Sequence, residues 1–179
     1  MKIVRFFFLL TALSAILAQC KPDPKARITE LEAKIASDNF SLDEIGMQTA
    51  NELTAAYLEY AEKFKDSPEA PEYLYKAADI SLNTGNNKEA LELYNRIIYQ
   101  YPDYKKVPEC LFLVAYIYEN NMQNFGKAKE VYEMFIAKYP NHEFADDAAI
   151  SIQNMGKSPE ELIRMFEEKN RVEQDSINL

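Results

Sequence analysis

Residues able to do chemistry are few in this sequence, and their spacing serves it poorly. Acid pairs occur at Asp146-Asp147, Glu160-Glu161 and Glu167-Glu168. Two carboxylates share acid and base work only when their surroundings split their pKa values and aim both at one substrate. Each of these pairs stands at the start or on the polar side of an expected helix. There an acid complements the macrodipole or simply faces water. His142, the one histidine, follows Tyr139-Pro140-Asn141 and reads as an exposed loop residue. With Cys20 and Cys110 as the only cysteines, no zinc-type ligand spacing is present. Cys110 lies in an apolar helical run and reads as a small buried hydrophobe. No nucleophile–base pair and no phosphate loop is visible, so the expectation is a protein that is not an enzyme and carries no cofactor or metal.

Cys20 is the exception, because of what precedes it. Lys2 and Arg5 form a positive start, and Phe6–Ala18 is an uncharged apolar run of thirteen residues. That is the length of an export-signal core and short for a bilayer span; an uncleaved signal-anchor is the alternative. Leu17-Ala18-Gln19-Cys20 resembles a bacterial lipobox, with Gln19 where that pattern prefers Gly, Ala or Ser. The resemblance implies cleavage before Cys20, a lipid on its sulfur and acylation of the new amino terminus. Residues 1–19 are then a lipoprotein signal peptide. Lys21 stands where an Asp would favour inner-membrane retention in some bacteria, so the expected location leans to the outer membrane.

The remainder has the composition of a folded helical protein. Hydrophobic residues make up 47% and charged residues 27%, with only four Gly and no sustained period-2 alternation. The net charge of −9, with both cations of the signal segment counted, argues against nucleic acid as a partner.

Lys21-Pro22-Asp23-Pro24 reads as a stiff tether, and Arg27–Ile35 as a short helix with Ile28, Leu31 and Ile35 on one stripe. Together residues 20–40 form the expected lipidated tether. Ser41-Leu42-Asp43-Glu44 has the form of a capping box that opens a long helix through Phe64. Beyond it the sequence repeats. Ala70–Asn83 and Val107–Asn120 share Pro, Glu, Leu, Ala, Ile and Asn at matching places, thirty-seven residues apart. Lys88–Pro102 and Gly126–Pro140 match at an offset of thirty-eight, which predicts one extra residue in the turn of the second unit. Each unit reads as two packed helices. Pro71 and Pro108 suit a first turn, Gly85 suits a left-handed stop, and Ala128, Val131, Tyr132, Phe135 and Ile136 form one apolar stripe. Ser158-Pro159-Glu160-Glu161 caps a last amphipathic helix bearing Leu162, Ile163, Met165 and Phe166, with fraying expected over residues 170–179.

This pattern resembles the tetratricopeptide repeat. Small Ala78, Ala90, Ala115 and Ala128, aromatic Tyr94 and Tyr132, and terminal Pro102 and Pro140 carry the resemblance. The implied fold is all-α, a short right-handed superhelical array over residues 41–169, with clear repeats at about 70–102 and 107–140. Lipobox, tether and Tyr-Pro-Asp or Tyr-Pro-Asn loops together resemble bacterial envelope lipoproteins of the BamD and YbgF/CpoB types. Room for only three to four repeats and no long coiled coil suggests a smaller Bacteroidetes-like family.

Carried over from such arrays, a partner-binding groove would be lined by Tyr75, Asp79, Asn83, Phe112, Tyr116 and Asn120. The expected role is a membrane-anchored scaffold in a cell-envelope assembly, such as outer-membrane protein biogenesis, with other envelope proteins as partners and the membrane engaged through Cys20. The alternative is a structural or cell-wall-linked protein acting by self-association.

Overall fold

The computed structural model describes residues 23–37 and 44–177. Cys20 and the Ser41 capping box lie outside them. Eight α-helices follow one another, and no strand occurs among the described residues: α1 Pro24–Ser37, α2 Glu44–Lys63, α3 Ala70–Asn83, α4 Asn87–Gln100, α5 Val107–Tyr116, α6 Phe125–Lys138, α7 Ala145–Asn154 and α8 Pro159–Ile177. Consecutive helices from α1 to α7 pack in turn, which makes an array of hairpins. This is an all-α tetratricopeptide-type repeat array.

The sequence explains each hairpin locally. Pro71 and Pro108 occupy the first turns of α3 and α5, where a missing N–H costs no helical bond. Ala77, Ala78, Ala90, Ala115 and Ala128 are wholly buried, so the backbones of paired helices approach closely at these sites. Tyr94 and Tyr132, also wholly buried, fill the space beside them. One core runs from α1 to α5 and a second joins α5, α6 and α7.

Three details differ from expectation. First, the array begins before residue 41. Pro24, Ile28 and Leu31 of α1 are buried, and α1 packs on α2 as the first helix of an earlier hairpin. Lys25 Nζ holds Glu69 at 2.7 Å and Lys76 Nζ holds Glu32 at 2.7 Å, which pins α1 to the start and outer turn of α3. Isolated, one heptad cannot show this, because its partners lie more than forty residues away. Second, α8 continues to Ile177, past the expected fraying at residue 170. Reciprocal bonds between Ser158 and Glu161 cap its start, and no Gly or Pro interrupts it.

Third, the extra residue of the second unit lies in a helix and not in the turn. Residues Ile117–Asn121 form one π-helical turn at the end of α5. Met122 N donates to Ile117 O at 3.0 Å, closing a five-residue step. The turn itself, Met122-Gln123-Asn124, then matches Thr84-Gly85-Asn86 residue for residue. Gly85 has φ +80° and Gln123 has φ +51°. A side chain in this left-handed region is unfavourable by about 1 kcal/mol. Gln123→Gly should therefore raise stability by roughly 0.5–1 kcal/mol, read as a higher urea midpoint at unchanged slope. A lower midpoint would show that the Gln123 side chain makes up for its strained backbone.

Candidate partner-binding face

A repeated contact organises the face that α1, α3 and α5 present. Tyr57, Tyr94 and Tyr132 stand at equivalent sites, thirty-seven and thirty-eight residues apart, on the second helix of each hairpin. Each ring is buried, and its hydroxyl reaches past the first helix to meet an acid there. Tyr57 donates to Glu32 at 2.7 Å, Tyr94 to Asp79 at 2.6 Å and Tyr132 to Glu119 at 2.9 Å. A buried hydroxyl needs a partner, and an ionised acceptor makes the bond stronger. The acid moves one helical turn between Asp79 and Glu119, and Glu119 is supplied by the π turn.

These acids sit in different fields. Burial pushes the Asp79 carboxyl above its ordinary value, and the Tyr94 hydroxyl only partly offsets this. At Glu32 burial acts in the same direction, but the Lys76 ammonium and the Tyr57 hydroxyl outweigh it and hold the carboxyl low. For Asp79 the sign is clear: the folded state binds the proton more tightly than the unfolded chain. Stability from this group therefore falls as pH rises from about 3.8 through the higher folded value. Asp79→Asn keeps an acceptor for Tyr94 and removes the charge. Its urea midpoint should match or exceed that of the parent protein at neutral pH, with the gap closing on acidification. A gap that widens on acidification would contradict this assignment.

The six residues expected to line a groove divide into two groups. Asn83, Tyr116 and Asn120 are exposed, Tyr116 by 41%. Asn120 Nδ2 bonds the Tyr116 carbonyl at 3.2 Å, within the π turn. Tyr75, Asp79 and Phe112 are half-buried and committed to packing as well as to the face. Tyr75 meets Tyr94 edge-on with centroids 5.9 Å apart, and Lys106 Nζ lies 4.0 Å from the Tyr75 ring centre. Phe112, its equivalent one unit on, packs against Tyr132, Phe135 and, at 4.8 Å, Phe144. Phe144 occupies in the third unit the place Lys106 has in the second. The same site between units is thus closed by a cation once and by a ring once.

Sequence reasoning missed Glu72 and Glu109, and it placed Lys106 only within a surface loop, Asp103-Tyr104-Lys105-Lys106, that could touch a partner. Glu72 accepts the Tyr104 hydroxyl at 2.7 Å. Glu109 Oε2 is buried and receives no hydrogen bond. The signal for both acids was the repeated Pro-Glu pair at 71–72 and 108–109, read only as a helix start.

Other chemical candidates turn out to be structural. His142 is not free at the surface: its ring packs on Phe135 and Phe144, and Nδ1 accepts from the Phe144 amide at 3.3 Å. Cys110 is buried, and burial pushes its thiol far up. Glu160 is held low by amides at the helix start and by Ser158.

Stacked hairpins with a face of rings, amides and acids that no described helix covers define a helical-repeat protein. Residues 72–104 and 109–142 match the tetratricopeptide repeat family, so the chain contains tetratricopeptide repeats. The matched segments are α3–α4 and α5–α6 with their following loops. No curated protein matches the chain. Tetratricopeptide repeats generally mediate protein–protein interaction.

Proposed function

We propose that this chain is a protein–protein interaction scaffold held at a bacterial membrane by lipid on Cys20, acting within a cell-envelope assembly such as outer-membrane protein biogenesis. One observation carries the binding part: exposed Tyr116, Asn83 and Asn120 stand on a face that no other described helix covers, above a rigid packed layer. Aromatic rings beside amides and acids are the composition of binding hot spots. Glu32, Asp79 and Glu119 on this face are each engaged by a phenol, which suits a surface built for recognition. The anchor rests on the apolar run ending in Leu17-Ala18-Gln19-Cys20, and Lys21 favours the outer membrane. The layout resembles BamD-type and YbgF/CpoB-type lipoproteins, and it is from these that the envelope setting is drawn.

A photo-crosslinker at Tyr116 tests this reading by capturing a defined envelope protein in cells. Self-association is the second reading, favoured by α8. Ile163 and Phe166 are 58% and 63% exposed, and Phe166 with Ile150 borders an open cleft of about 510 Å³ between α7 and α8. A crosslinker at Phe166 that traps a second copy of the chain, with nothing captured from Tyr116, would decide for it.

A further inference from the structure

The first helices of successive hairpins run parallel, and their starts gather on one edge of the array. Lys25 in the first turn of α1 holds Glu69 just before α3, while Glu32 further along α1 holds Lys76 further along α3. The Tyr104 hydroxyl, just ahead of α5, donates to Glu72 in the first turn of α3 at 2.7 Å. Tyr101 ties the same loops together by donating to the Lys65 carbonyl at 3.0 Å. Between the loops that precede α3 and α5 lies an open cleft of about 820 Å³. Tyr101 and Tyr104 line it together with Lys65, Lys105, Asp66 and Asp103. None of these four charged side chains forms an ion pair within 4.0 Å among the described residues. The cleft therefore offers both signs of charge to a ligand.

The chain enters the array on this same edge. Cys20 precedes Asp23 by three residues, a reach of at most about 11 Å. Lipid on Cys20 would thus hold the start of α1, and the loops beside it, close to the headgroups. This deepens the anchored-scaffold reading and rests on it. We infer that the loop edge lies on the lipid surface and that its cleft takes a zwitterionic headgroup, lysines meeting the phosphate and aspartates the primary ammonium. A primary ammonium donates hydrogen bonds to carboxylates, which the methylated ammonium of choline cannot do. An anionic headgroup without an ammonium would leave Asp66 and Asp103 facing a like charge. Tyrosine rings suit this depth, where one side is apolar and the other wet. The hairpins then stand away from the membrane. Because α3 has 14 residues, the hairpin turns lie roughly 20 Å further out. Tyr116, at the far end of α5, is held outward to meet a partner.

The test uses the full lipidated protein in phosphatidylcholine vesicles that carry a nitroxide on some headgroups. A bimane label is placed at Lys63→Cys on the near edge or at Lys88→Cys on the far edge, both exposed sites. Cys110 is buried and escapes the reagent. Quenching should be at least about threefold stronger for the Lys63→Cys label, given the roughly 20 Å between the edges. Adding phosphatidylethanolamine should raise quenching of that label about twofold, and adding phosphatidylglycerol should not. Lys65→Gln with Asp103→Asn, two changes at exposed positions, should abolish the rise. Equal quenching at both labels would overturn the inference. So would no rise with phosphatidylethanolamine, an equal rise with phosphatidylglycerol, or a rise that survives in the double variant. Fatty-acid labelling at Cys20 separates the two levels. A lipidated protein with equal quenching loses only this inference, whereas a protein without lipid loses the anchor and this inference together.

Discussion

Tyr94→Ala is expected to destabilise the array by about 3–5 kcal/mol, a large part of the 5–15 kcal/mol typical of a folded domain. Tyr94 is wholly buried among α3, α4 and α5, so its removal leaves a cavity at the joint between two hairpins. It also takes away the hydroxyl that meets Asp79 and the ring edge that supports Tyr75. In a repeat array each unit is held by its neighbours, and loss at a central joint weakens both sides. Urea unfolding followed by far-ultraviolet circular dichroism measures it. Tyr94→Phe separates the two contributions, because it keeps the ring and loses only the bond, at a cost of about 1–2 kcal/mol. A Tyr94→Ala protein as stable as the parent would mean that the hairpins do not meet here as described.

Cys20→Ser carries the second large effect. Each buried methylene contributes about 0.8 kcal/mol, so two or three acyl chains hold a protein on a membrane almost permanently. No described helix is long and apolar enough to cross a membrane. On the proposed reading, cells fed an alkyne-bearing fatty acid should label the parent protein, and Cys20→Ser should abolish the label. Persistent labelling of the variant, or none of the parent, would remove the lipid anchor from the account.

Much of the fold was legible because repetition supplied its own control. Pro71 and Pro108, Ala78 and Ala115, and Tyr94 and Tyr132 recur in phase, and each has one physical role that a single sequence displays. The role of α1 was hidden because its stripe of Ile28, Leu31 and Ile35 is too short to read without its distant partners, Glu69 and Lys76. The offset of thirty-eight correctly announced an extra residue. Only hydrogen bonding could place it in the π turn at Ile117–Asn121, since no residue type there marks a five-residue step.

The candidate face was legible in part. Position along a first helix finds Tyr116 and Asn83, but it cannot tell an exposed ring from one used between units. Tyr75 and Phe112 look alike in sequence, yet one is covered by Lys106 and the other by Phe144. The alternation follows from a residue that lies in the next unit. The tyrosine–acid bonds were also missed, because Glu32, Asp79 and Glu119 stand at different places in their helices while the tyrosines keep their phase.

The central claim is that the face bearing Tyr116 binds another protein. Its most direct test is a photo-crosslinking amino acid introduced at Tyr116 of the full-length protein in its native host, beside the same group at Met134, a 51% exposed position on α6. The account predicts a discrete crosslinked protein from Tyr116 and none from Met134. No adduct from Tyr116, or the same adducts from both positions, would contradict it.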